Sequence, residues 1–228
     1  IAALQKKLKD DGQYAAVLTL PDSICWLLNI RGSDVTHNPV VLAFAILPVT
    51  GKVELFVDAE KIDAAARAHL NPVAKISAPD QLAERLKALR DAGRIVRLDP
   101  DTAAAWFERT LGAKSIARGQ DPCILAKAIK TEAEITGSRE AHIRDGAAVA
   151  RFLAWLDMAA AKGGLDEITA VKKLEDFRSQ TGELKEISFA TISGSGPNGA
   201  IVHYRVTEKT NRVLNAGELF LIDSGAQY

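Results

Sequence analysis

The sequence predicts an α/β fold built on a mixed sheet, followed by a region led by long helices that ends in strands. Three observations point there. Over residues 1–122, apolar runs of strand length alternate with stretches of helical spacing. Two of these runs, 40–47 and 52–57, are separated only by Pro48-Val49-Thr50-Gly51, which reads as a hairpin and makes the sheet mixed. From Thr131 onward a capping signature opens a much longer helix, and residues 188–228 return to short apolar runs and glycine-rich turns.

Taken in order, Ile1, Leu4 and Leu8 give a helix over 1–9 that ends near Asp11-Gly12. A strand follows over 14–20, then a short helix over 22–28 opened by Pro21-Asp22-Ser23. After the hairpin come a helix over 59–70, a strand over 73–76, a helix over 81–91 behind Pro79, and a strand over 94–98. No phosphate-binding loop, dinucleotide fingerprint or internal repeat is present. The character changes at Gln120-Asp121-Pro122, which divides the chain into domains 1–122 and 123–228. Thr131-Glu132-Ala133-Glu134 is a capping box for a helix to about 161, with Ile143, Ala147, Ala150 and Leu153 or Ala154 on one face. Gly163-Gly164 stops it. Asp166 opens another to about 180, striped by Ile168, Val171, Leu174 and Phe177. Both helices read as scaffold.

The 228 residues carry 29 basic and 29 acidic side chains, so no field of one sign steers nucleic acid or an anionic membrane. The longest apolar run, 39–49, is too short to span a bilayer. The chain opens on Ile1 within a helical pattern and stops at Tyr228 after a strand, with no leader in view, which reads as a segment of a longer protein. Cys25 and Cys123 lie far apart without ligand spacing; Cys25, in an apolar stretch, reads as a buried free thiol, which fits a reducing compartment.

The chemistry concentrates at the end. A strand over 187–192 leads into a turn rich in Gly194, Gly196, Pro197, Asn198 and Gly199, then into an extended run bearing His203. A second apolar run, 219–222, delivers Asp223 to the end of a buried strand, where a carboxylate needs a hydrogen bond, a cation or a metal. An imidazole near such a carboxylate suits a hydrolytic metal site with nitrogen and oxygen ligands, but one carboxylate does not hold a catalytic metal. In the first domain, Arg31 and His37 lie in the polar stretch 31–38 and are secondary candidates; a plain solvated connection is the competing reading.

Gly196-Pro197-Asn198-Gly199-Ala200-Ile201-Val202-His203-Tyr204, Asn211-Arg212 and Leu221-Ile222-Asp223-Ser224-Gly225-Ala226-Gln227-Tyr228 resemble the catalytic domain of the Xaa-Pro aminopeptidase (aminopeptidase P) family. Ala141-His142-Ile143-Arg144-Asp145 resembles the start of that domain. Trp26-Leu27-Leu28-Asn29-Ile30-Arg31-Gly32-Ser33-Asp34 with His37-Asn38-Pro39 resembles the middle domain of its long, three-domain form. The resemblance implies a creatinase N-terminal-like domain over 1–122 and the first half of a pita-bread metallopeptidase domain over 123–228. It implies a hydrolase that releases the N-terminal residue from peptides with proline second. Water would be activated by two divalent metals, manganese foremost and zinc as the alternative.

In that family two aspartates, a histidine and two glutamates hold the metals. Asp223 matches the first aspartate, and His203 matches a histidine that contacts substrate and is not a ligand. The other four ligands would fall beyond Tyr228, so this segment alone is expected to be inactive and to hold no metal tightly. The resemblance also implies a cytoplasmic homodimer with a proline-containing peptide as partner and neither nucleic acid nor membrane. Two alternatives stay open: a non-catalytic binding or assembly module of the same fold, and a related hydrolase such as prolidase or creatinase.

Overall fold

Every residue of strand β1 (Ala15–Leu18) is buried, because helices cover both faces of the sheet around it. The computed structural model describes all 228 residues and divides them into two compact units, Ile1–Lys130 and Thr131–Tyr228. The first unit is built on β1 with β2 (Phe44–Pro48), β3 (Val53–Phe56), β4 (Ala74–Ser77), β5 (Val96–Leu98) and β6 (Ile116–Arg118). Their order is β4-β3-β2-β1-β5-β6. The central β1–β2 and β2–β3 pairs are antiparallel and the β1–β5, β3–β4 and β5–β6 pairs parallel, so the sheet is mixed.

The period of two sorts its side chains. Ala16, Leu18, Ala45 and Leu47 join one core with helices α1 (Ala2–Asp10), α2 (Pro21–Leu28) and α3 (Ala64–Leu70). Ala15, Val17 and Ile46 join the other with α4 (Gln81–Asp91) and α5 (Ala105–Leu111). At roughly 1.5–3 kcal/mol for each large apolar side chain buried, these two layers supply the unit's main driving force.

Several elements differ from the sequence reading. The helix over 59–70 is broken: a 3-10 turn spans Ala59–Lys61, and α3 starts anew at Ala64. Two aspartates cause the break, since Asp58 accepts from the Glu60 amide at 3.0 Å and Asp63 from the Ala66 amide at 2.7 Å. Helix α5 and strand β6 were not anticipated. The first unit also continues past 122. Helix α6 (Cys123–Ala128) packs in it, with Cys123 fully buried in the first core. Its start is fixed by Asp121, which accepts from the Cys123 amide at 2.8 Å while its own amide donates to Asp99 at 2.8 Å. The polar tripeptide at 120–122 is thus a helix start inside the unit.

In the second unit α7 (Glu132–Ala161) opens with the full capping box, Thr131 and Glu134 each receiving the other's backbone bond. Helix α8 (Glu167–Ser179) is capped by Asp166, which accepts from the Thr169 amide at 2.7 Å. Two short antiparallel pairs accompany them: β7 (Glu186–Ile187) with β10 (Ala226–Gln227), and β8 (Ile192–Ser195) with β9 (Phe220–Asp223). The strand expected over 187–192 is therefore interrupted, and β8 runs on into the glycine segment.

The buried face of α7 is also not the expected one. Ile143 and Leu153 are exposed, and Ala148 and Phe152 are buried, with Val149, Trp155 and Leu156 packed beside them. The aromatic bodies of Phe152 and Trp155 choose the face, since they bury the most area. On α8 the most buried positions are Glu167, Ala170, Leu174 and Arg178, so two of the four are charged.

Arg178, 1% exposed, donates from Nε and Nη2 to Asp145 on α7 at 2.8 and 3.1 Å. Tyr228 donates its hydroxyl to the same carboxylate at 2.6 Å. Burial raises the Asp145 carboxyl, but the Arg178 and Tyr228 bonds outweigh it and hold it below the usual carboxylate range. Burial first, then Asp145, pushes the Tyr228 hydroxyl up to about 12.

Candidate functional site

Asp223 closes β9, as the sequence predicts, but it is exposed. The strand alternates: Phe220 and Ile222 pack on the second unit's core, and Leu221 and Asp223 face away from it. β8 is its sole neighbour in the sheet. Asp223 lies opposite Ile192, whereas Phe220 lies opposite Ser195, where the glycine turn begins. Asp223 thus stands about 10 Å along the ladder from the start of that turn, at ~3.3 Å per residue.

The turn itself is a 3-10 helix, Gly196–Ala200, folded back over β8. A Cβ at Gly194 would lie 2.8 Å from the Gly199 amide nitrogen, so glycine is required there for the two backbones to meet. His203 follows in a tight turn and not in an extended run: its φ is 53°, and the Tyr204 amide donates to Ile201 O at 3.2 Å. A left-handed histidine is uncommon and carries roughly 1–2 kcal/mol of strain, which something nearby must hold. The imidazole is exposed, while the adjoining Tyr204 is buried.

The residue that holds this segment is one the sequence reading passed over. Glu167, the first residue of α8, is 0% exposed. Its carboxylate accepts from the Ser195 amide at 2.6 Å, Asn198 Nδ2 at 3.0 and 3.2 Å, the Tyr204 hydroxyl at 3.2 Å and the Arg212 amide at 3.1 Å. An acid in a first helical turn reads from sequence as a complement to the helix dipole, so nothing marked it as a hub. The pair Asn211-Arg212 has a matching task. Asn211 Oδ1 accepts from the Ile168 amide at 3.2 Å, and Arg212 O from the Glu167 amide at 3.0 Å. Arg212 also donates to Glu218 at 2.9 Å, and Ser195 Oγ donates to that carboxylate at 3.2 Å. Burial raises the Glu218 carboxyl, and the bonds from Asn215, Arg212 and Ser195 bring it below its usual range.

In the first unit, the stretch 31–38 is organised. Asp34 accepts from the Leu42 amide at 2.7 Å and from Lys61 Nζ at 2.8 Å, and these two hold its carboxyl low, Lys61 the more strongly. Arg31 donates to its own neighbour, Ile30 O, at 2.8 Å and lines a cavity of about 440 Å³ with Asp34 and Lys61. His37 sits at φ 63° within a narrow Val35–Asn38 bridge. No group of three His, Cys, Asp or Glu side chains in the chain is placed to hold a metal ion. Asp223 is one candidate ligand without companions, so these residues by themselves do not fit a two-metal centre.

A mixed-sheet α/β unit followed by a helix-and-hairpin unit with a glycine turn and a strand-end aspartate is the arrangement of a creatinase/prolidase N-terminal domain joined to a metallopeptidase domain. The chain belongs to the creatinase/prolidase N-terminal domain family, whose model matches residues 1–134, and the model of metallopeptidase family M24 matches 136–228. Among individual relatives, the probable Xaa-Pro aminopeptidase P of Aspergillus fumigatus is 38% identical over 240 residues, covering 100% of this chain. That of Laccaria bicolor is 37% identical over 236 residues, again across 100% of this chain. The chain spans 36% of the length of each.

Among solved structures, the X-prolyl aminopeptidase of Caenorhabditis elegans, described as a cytosolic enzyme with a di-nuclear active site, superposes with a TM-score of 0.91 at 33% identity. It covers 99% of this chain and 38% of its own. The Xaa-Pro dipeptidase of Bacillus anthracis, at 20% identity, TM-score 0.71, and coverage of 99% and 59%, shares the fold.

Proposed function

We propose that this chain is the middle α/β domain and the first part of the catalytic domain of a metallo-aminopeptidase that removes the residue preceding proline. The observation that carries it is the left-handed His203 turn and the β9 strand end at Asp223 in one compact unit, within a chain similar along its whole length to Xaa-Pro aminopeptidases. An Xaa-Pro bond is a tertiary amide without an N–H, so a protease that grips the chain through that group cannot use it. Two bound divalent metals, manganese foremost, would polarise the carbonyl and supply hydroxide at neutral pH in the complete enzyme. Asp223, exposed at the strand end, is the carboxylate this chain offers them. The exposed His203 imidazole donates a hydrogen bond to the substrate carbonyl oxygen and to the oxyanion that develops there. The cytosolic worm relative supports a cytosolic setting, and the family resemblance supports a homodimer.

The test uses the full-length protein that carries this segment. Asp223→Ala should lose bound metal and nearly all activity on an Xaa-Pro peptide together. His203→Ala should keep its metal and lose about a hundredfold or more in rate, the usual cost of removing one oxyanion donor. A metal-free His203→Ala protein, or an Asp223→Ala protein that keeps metal and rate, would overturn the assignment.

A further inference from the structure

Four residues around the His203 turn share one buried acceptor, with Thr210 and Glu218 taking further bonds from the same segment. Ser195 closes β8 before the turn, Asn198 lies within its 3-10 helix, Tyr204 follows His203 directly, and Arg212 leads the chain back toward β9. Their donors reach the two oxygens of Glu167 and no cation does. Asn198 Nδ2 also donates to the Tyr204 hydroxyl at 2.8 Å, so these donors are tied to one another. A buried carboxylate without a counter-ion is costly, so the donors gathered on it must supply its stabilisation. What the carboxylate provides, and an amide does not, is two acceptor oxygens facing donors from four separate points of one loop. The N-terminus of α8, where Glu167 sits, helps offset the charge.

We propose that Glu167 is the positioning residue of the His203 turn: it pins the chain before and after the strained histidine and so sets where the imidazole stands. This rests on the role proposed for His203. Glu167 touches neither substrate nor metal in this assignment and acts only through the turn.

The experiment combines Glu167→Gln, His203→Ala and the double variant in the full-length protein with amide hydrogen exchange, read by NMR, on the 228-residue chain. Glutamine keeps the size but leaves one acceptor oxygen and turns an NH2 toward the donors. Glu167→Gln should lower kcat on an Xaa-Pro peptide about ten- to a hundredfold, the scale of a misplaced catalytic group, with KM and metal content unchanged. In the His203→Ala background it should slow kcat no further, because both changes remove the same contribution. A merely structural role would instead multiply the two losses. In the chain, exchange should quicken at the Ser195 and Arg212 amides and stay unchanged along α7.

Wild-type kcat in Glu167→Gln, multiplicative losses in the double variant, or unaltered exchange at Ser195 and Arg212 would overturn the proposal. Full kcat in His203→Ala would instead remove the reading of His203, and this function of Glu167 with it, while the exchange rates still report whether Glu167 holds the turn. Should Glu167→Gln fail to fold, Tyr204→Phe deletes one donor to the same oxygen, and the same non-additivity with His203→Ala is expected at smaller size.

Discussion

Replacing Asp145 by alanine exposes how the second unit is held together. The Arg178 side chain is 1% exposed, and two of its nitrogens rest on Asp145. Its third, Nη1, is already buried without a partner. Removing the carboxylate therefore strands a buried guanidinium. Breaking a fully buried pair this way costs about 3–5 kcal/mol. The Asp145 side chain is 26% exposed, so water replaces part of what is lost, and about 2–3 kcal/mol is expected. With a urea slope of roughly 1–3 kcal/mol per molar, the unfolding midpoint should fall by about 1 M or more.

Far-UV circular dichroism during urea unfolding of the chain reads this, since α7 and α8 dominate the second unit. The folded carboxyl is held below its ordinary value, so its contribution is complete above a pH of about 4 and fades as pH falls through the lower folded value. The gap between wild type and variant should be constant from about pH 5 to 8 and narrow progressively as pH falls below about 4. A midpoint shift under about 0.3 M at pH 7, or a gap that persists undiminished in acid, would refute the reasoning.

Two further outcomes are expected. Burial raises both thiols, with Asp121 adding to the effect at Cys123, so a thiol reagent at neutral pH should titrate neither Cys25 nor Cys123 in the folded chain and both in guanidinium. Brief trypsin treatment should cut first at the exposed Lys130 between the units and yield two resistant pieces; earlier cutting inside the hairpin of β2 and β3 would contradict the division.

The elements with local signals were legible in the sequence. The capping box at Thr131, the Asp166 cap and the β2–β3 hairpin are each written in a few neighbouring residues, and the structure has all three. What was not legible depends on partners far along the chain. Which face of α7 is buried follows from where Phe152 and Trp155 find the rest of the core, and a helical apolar count with alanines on every side does not decide it. Gln120-Asp121-Pro122 read as a domain boundary because the amide that Asp121 caps belongs to a helix too short to show periodicity. At the site, His203 and Asp223 carried motifs, but the left-handed φ of the first and the exposed face of the second, set by the two-residue period of β9, appear only in the folded chain. Glu167 itself makes bonds that only the folded chain brings within reach.

Those bonds also set an order of assembly. Glu167 is separated by 28 residues from Ser195 and by 45 from Arg212, while α8 itself needs only neighbours along the helix. Closing the longer loop must repay its lost chain freedom before any of the bonds forms, so α8 and its packing on α7 come first. The turn carrying the histidine therefore depends on loop closures that α8 does not need, and its ordering costs more chain freedom than that of the helix beneath it.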